Sequence, residues 1–221
     1  MTAKITSKQE TRLSDLFRDA LRTLGLSKDE AQEIIKAGGA LQEQVKPILQ
    51  KLAMVDQRFG PGVKDFEFTV PSDYKHDTQL DQFAARTKGL KPTYYWNDAL
   101  TSANFAKATN RLEPGKTYKA KIFPILSKVS SEDCLAFLRK QRAILVGGQG
   151  LTLVQDEKPD EFPVGKWTVS FDEKDALWED AARNHRVPFV FRHSVGDWEF
   201  GLGIFEKPWN GDDCLLCVCD L

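Results

Sequence analysis

The residues His193, Ser194 and Asp197 sit within one short stretch, and Glu199 follows close behind. These are the types from which hydrolytic enzymes assemble a general base, a nucleophile and a carboxylate that orients the base. Their spacing works against the full set. Along a strand alternate side chains point to opposite faces, so Ser194 is expected to face away from His193. What survives is a hydrolase or nuclease-like alternative in which His193 acts with Asp197 or Glu199. His193 also shares its face with Phe189 and Phe191, as a partly buried, hydrogen-bonded histidine would. The other two histidines offer less, because Asp77 beside His76 is accounted for as a helix cap and His185 falls at the expected end of a helix.

The run Cys214-Leu215-Leu216-Cys217-Val218-Cys219 contains a Cys-x-x-Cys pair, which is half of many zinc sites and elsewhere a redox motif. In a strand Cys217 and Cys219 share one face and Cys214 takes the other, so the three cannot meet on one ion without a bulge. Small buried hydrophobes of a core strand are the expectation. No metal is assigned, and no motif calls for a cofactor. Gly147-Gly148-Gln149-Gly150 lacks the Lys-Ser/Thr of a phosphate-binding loop, and Leu151 to Gln155 reads as a strand, so a glycine-rich hairpin turn is predicted. Gly201 and Gly203 fall on one face of a strand whose other face carries Trp198, Phe200, Leu202 and Ile204. Their bare face admits close approach of a ligand or of another segment of the same domain. The acidic run Asp156 to Glu161 lacks the ligand spacing of a calcium loop and reads as solvated.

Positive charge and aromatic rings interleave in Arg86, Lys88, Lys91, Tyr94, Tyr95, Trp96, Lys107 and Arg111. That mixture can hold single-stranded nucleic acid by phosphate contact and base stacking, which makes the region 86–121 a second alternative site. Three adjacent aromatics in a strand more ordinarily bury a face in a core.

These residues must be positioned by elements that the periodicity describes. Ser7 to Glu10 and Ser27 to Glu30 have the spacing of capping boxes, and apolar residues after each recur at helical steps up to Gly25 and to Gly38-Gly39. A third helical run passes through Pro47. Residues 1–58 are therefore expected to form a short helical segment, suited to docking or self-association because three short helices bury little area alone. A helix-turn-helix is the lesser option, since Glu43 and Pro47 sit badly in a recognition helix. Phe59-Gly60-Pro61-Gly62 is read as a linker.

Over 64–221 the pattern changes to strands and helices in alternation. Strands are predicted at Phe66 to Val70, Thr93 to Trp96, Thr117 to Ile125, Ala143 to Val146, Leu151 to Gln155 and Trp167 to Phe171. Helices are predicted near Asp77, from Ser102 to Asn110, from Ser130 or Ser131 through Gln141, and after a cap at Asp172. Three closing strands near 187–193, 198–206 and 213–220, with turns at Gly196-Asp197 and Asn210-Gly211, predict an antiparallel meander. The domain reads as α+β with a mixed, largely antiparallel sheet, α/β being the alternative.

Composition bounds the function. A net charge of −1 argues against a dedicated polyanion binder. The charge is uneven, with 11 Lys and Arg against 8 Asp and Glu over 1–64, 10 against 7 over 65–130, and 10 against 17 over 131–221. The basic helical segment is thus expected either to pack on the acidic C-terminal third or to recruit an acidic partner. No run is apolar enough for a membrane span, the start of the chain lacks the apolar core of a signal peptide, and the four cysteines are too few for a disulfide framework. A cytoplasmic protein is expected. With no metal, phosphate or nucleophile constellation intact, the leading expectation is a non-enzymatic binding or protein-interaction module.

Overall fold

The structure, a computed structural model, describes residues 56–62 and 65–221. The predicted helices of residues 1–55, and the docking or self-association assigned to them, lie outside the described residues. Phe59, expected to open a linker, belongs instead to the larger domain. It is buried, bridges Ile125 and stacks on Phe137 with ring centroids 4.1 Å apart.

The alternation Phe66-Glu67-Phe68-Thr69 makes β1 (Phe66–Thr69), with both phenylalanines buried and the residues between them exposed. A single 3-10 turn (His76–Thr78) leads into α1 (Gln79–Thr87), whose buried stripe is Gln79, Leu80, Phe83 and Thr87. Asp77 does not cap it. Its carboxylate takes both ends of the Arg111 guanidinium instead. There follow β2 (Tyr94–Trp96), β3 (Thr117–Pro124), α2 (Ser131–Lys140), α3 (Gly147–Glu157), β4 (Trp167–Val169), β5 (Trp178–Glu179), β6 (His185–Arg192), β7 (Trp198–Ile204) and β8 (Asp213–Asp220). Of the two serines expected at the start of α2, Ser130 is the cap, and it forms a capping box: the Ser130 hydroxyl accepts from the Asp133 amide and the Asp133 carboxylate accepts from the Ser130 amide.

The strands form one mixed sheet in the order β1-β3-β8-β4-β6-β7-β2, with β5 paired to the start of β6. Pairing is antiparallel except at β4–β8 and β2–β7. The predicted C-terminal meander is therefore half right. β6 and β7 form the expected hairpin, but β8 lies between β3 and β4, because the segment after β7 turns away to bridge Val129 with Trp209 before Asn210 reverses the chain. The first sheet face packs Phe68, Tyr118, Ile122, Leu216, Val190 and Phe200 against Leu80 and Phe83 of α1 and Leu151 and Val154 of α3. The second packs Phe123, Leu215, Cys217, Val169 and Val187 against α2 and against Phe205 and Trp209. Among the described residues no helix is long and apolar enough to cross a membrane.

Three local expectations fail for identifiable reasons. Gly147-Gly148-Gln149-Gly150 is no hairpin turn but the first turn of α3, which is buried from Gly147 to Gln155. Tertiary burial overrides the poor helix propensity of glycine. A Cβ on Gly148 would meet Pro188, Leu80 and Leu100 at 3.3 to 3.5 Å, so the bare backbone admits close packing. Ser102 to Asn110 is a series of turns rather than a helix. There the Thr101 hydroxyl accepts from the Asn104 amide and the Asn104 side chain donates to the Ala99 carbonyl, local bonds that compete with a helical ladder. Asp172 caps no helix either. Its Oδ1 accepts from the Thr109 amide at 2.9 Å, while the Glu173 amide donates to the Thr109 hydroxyl at 2.7 Å.

A candidate binding cleft on the open end of the sheet

The hairpin joining β6 and β7 fixes His193. The His193 amide donates to the Asp197 carbonyl at 2.8 Å, and the Gly196 amide donates to the His193 carbonyl at 2.9 Å. Gly196 holds φ at +93°, the left-handed setting that closes a three-residue hairpin loop. Asp197 then reaches across to β2, where its Oδ1 accepts from the Thr93 amide at 2.8 Å. One carboxylate thus ties the hairpin to the parallel strand beside it.

Beyond α2 the described residues leave the second sheet face partly open, and aromatic side chains run along it from the core to the edge. Register places Trp167 opposite Phe191, Phe189 opposite Gly201, Phe191 opposite Glu199, and Tyr95 opposite Glu199. The rings are in contact in sequence: Phe189 to Trp167 at 6.3 Å between centroids, Trp167 to Phe191 at 5.5 Å, Phe191 to His193 at 4.7 Å, and His193 to Tyr95 at 6.0 Å. Trp167 is 38% exposed and Tyr95 54%, with Phe189, Phe191 and His193 partly buried between and beside them. The row ends in a cleft of about 500 Å³ lined by Tyr95, His193, Val195, Asp197, Glu199 and Gly201, with Trp96, Asn97 and Phe200 at its inner side. Among the described residues no lysine or arginine lines it.

Three groups of residues singled out in the sequence therefore meet here: His193 with Asp197 and Glu199, Gly201, and Tyr95 with Trp96. Among the described residues no hydrogen bond links the His193 imidazole to either carboxylate. Glu199 Oε2 lies 3.7 Å from His193 Nε2, near enough for an ion pair with a charged ring but too far for a hydrogen bond. His193 Nε2 is buried without a hydrogen-bond partner. Asp197 holds a backbone amide rather than the imidazole, and Ser194 stands in the exposed loop. Gly201 and Gly203 are covered from within, Gly201 by the Phe189 ring and Gly203 by the Trp209 ring. His76 is buried against the Tyr74 hydroxyl, and burial pushes its pKa down. His185, expected to end a helix, opens β6 and bonds Glu206 through Nδ1.

The basic aromatic region is dispersed. Arg86 is engaged by both oxygens of Asp156, Arg111 by Asp77, and Lys91 bonds Thr93. Tyr94 and Trp96 face the first core, against Phe83 and Phe200, and only the middle residue Tyr95 turns to the open face. Lys88 and Lys107 are exposed and take no part in the cleft.

The cysteines divide as alternation requires. Cys214 packs in the first core, while Cys217 and Cys219 lie on the second face with their sulfurs 3.8 Å apart. The Cys217 thiol donates toward Cys219 and draws its pKa down to about 7, and that bond, with burial, pushes Cys217 up. Among the described residues no group of three His, Cys, Asp or Glu could hold a metal ion. What the sequence reading missed is the row itself. Trp167, Phe189, Phe191, His193 and Tyr95 come from three strands, and their odd-numbered alternation is the signal that could have placed them on one face. Comparison of the chain with protein-family models, with curated proteins and with solved structures returns no match.

Proposed function

We propose that this protein is a non-enzymatic interaction module that docks a partner polypeptide on the open end of its sheet. The observation that carries the reading is the row from Phe189 through Trp167, Phe191 and His193 to Tyr95, which ends in a cleft. Contiguous exposed apolar surface of this kind is costly to leave in water, and aromatic residues within a polar rim are the usual anchors of protein interfaces. A cytoplasmic setting and self-association through the helical segment belong to the same proposal. A hydrolase built on His193 receives less support, since neither Asp197 nor Glu199 bonds the ring. Nucleic-acid binding over 86–121 receives less as well, since Arg86 and Arg111 are already neutralised by carboxylates.

A photo-crosslinking amino acid placed at Tyr95 in the full chain, and at exposed Glu132 as a control, tests the docking surface. A discrete adduct is expected from position 95 alone and should disappear in a Trp167→Ala background whose melting temperature is unchanged. Equal adducts from both positions, or adducts indifferent to Trp167, would remove this surface from consideration. Light scattering on the full chain tests self-association, and a monomer mass would end that part of the proposal.

A further inference from the structure

Resting on that docking reading, we infer that the cleft selects a positively charged group, the ammonium or guanidinium of a basic side chain on the partner polypeptide. Two features of the cleft point to this chemistry.

The first is the Tyr95 ring. It lines the cleft, is 54% exposed and stands at 68° to His193. A surface that stacks nucleobases or sugar rings presents flat, parallel faces, whereas these two rings are steeply inclined. The face of the tyrosine ring carries the negative lobe of its quadrupole and attracts a cation.

The second is charge. Asp197 and Glu199 line the cleft and, among the described residues, neither lysine nor arginine does. The Glu199 side chain is 43% exposed, so its carboxylate is open to an incoming group. Asp197 commits one oxygen to Thr93 and still contributes its negative charge to the same wall. The resulting field repels phosphate and carboxylate and attracts a cation.

The test titrates the full, isotope-labelled chain with four capped tripeptides, glycine-X-glycine, in which X is lysine, arginine, norleucine or glutamate. Aromatic and indole resonances are followed by NMR. The lysine and arginine peptides should shift His193 and Tyr95 and bind about two- to fivefold more tightly than the norleucine peptide, as cation-π contact at a half-exposed site implies. The glutamate peptide should bind most weakly. Glu199→Gln, which keeps the shape and removes the charge, should weaken the lysine peptide and leave the norleucine peptide as it was. Equal affinity for lysine and norleucine, or indifference to Glu199→Gln, overturns the cation preference while leaving the aromatic docking surface in place. No shift with any peptide at millimolar concentration overturns it too. Crosslinking from Tyr95 that persists in that case would show that the docking surface is used by another chemistry, and loss of both results would end both readings.

Discussion

Replacing Gly147 with alanine challenges two constraints at one point of the fold. Gly147 opens α3 with φ at +51°, where an L-residue bears a cost of about 1–2 kcal/mol. A Cβ there would also fall within the van der Waals radius of Asp172 Oδ2, and Asp172 is buried, with little room to retreat. Moving the carboxylate breaks its bond to the Thr109 amide, 2.9 Å long. A bond to a charged group contributes about 1.5–3 kcal/mol. Gly147→Ala should therefore destabilise the chain by about 2.5–5 kcal/mol. Urea unfolding followed by tryptophan fluorescence reads this as a fall in midpoint at constant slope. A double-mutant cycle isolates the contact. Asp172→Ala removes the clash but leaves the Thr109 amide unpaired, so the double variant should fall short of the sum of the singles by at least about 1 kcal/mol. A Gly147→Ala chain within about 1 kcal/mol of the parent, or strict additivity in the cycle, would refute the claim that this glycine is held by Asp172.

Three further outcomes are expected. Burial raises the Asp172 carboxyl to about 6 from 3.8. The unfolded chain therefore loses that proton first, and the contribution present below about pH 4 fades as pH rises to about 6, a difference near 3 kcal/mol at most. Asp172→Asn keeps an acceptor for Thr109 and should flatten this part of the stability profile relative to the parent; an unchanged profile counts against a buried charge. With its pKa near 7, Cys219 should be alkylated first at neutral pH, while Cys217, Cys134 and Cys214, all raised by burial with Cys214 at about 11, should react only on unfolding. Peptide mapping by mass spectrometry reads the order, and early labelling of Cys217 would contradict it. Ser131 is buried with its hydroxyl donating to the Phe205 carbonyl at 2.6 Å and accepting from the Trp209 indole at 2.8 Å. Ser131→Ala should cost about 1–3 kcal/mol in the same urea assay, and a cost near zero would mean that the indole finds another partner.

The parts of this fold that rest on neighbouring residues were legible in the sequence. The serines at 130 and 131 marked the start of α2, and the alternation of β1 marked a buried face, because those signals are complete within a few residues. The glycines at 147–150 were not legible. A glycine needed for left-handed φ, as at Gly147, and one needed for close packing, as at Gly148 against Leu80, Leu100 and Pro188, look alike in a sequence. Turn chemistry at Asn210 correctly marked a reversal but could not say which strand the returning chain would join. The cleft is the same case. His193, Tyr95 and Gly201 were each noticed for local reasons, yet their meeting depends on the parallel register of β2 on β7, a pairing between segments about a hundred residues apart that no local pattern encodes.

The central place of β8 bears on how the molecule can be made. β1 with β3 forms one ladder, and β4 with β6, β7 and β2 forms another; β8 joins them. A chain emerging from the ribosome has synthesised both ladders before Asp213–Asp220 exists. Until then β3 and β4 each expose an edge of unpaired backbone, the surface on which strands of different chains pair wrongly. Folding of this sheet is thus completed late by one strand, through contacts of long sequence separation that form slowly. A translational pause or a premature stop just before Cys214 would leave two half-sheets in search of the same missing strand. Aggregation during synthesis, more than unfolding of the finished protein, is the hazard that this topology creates.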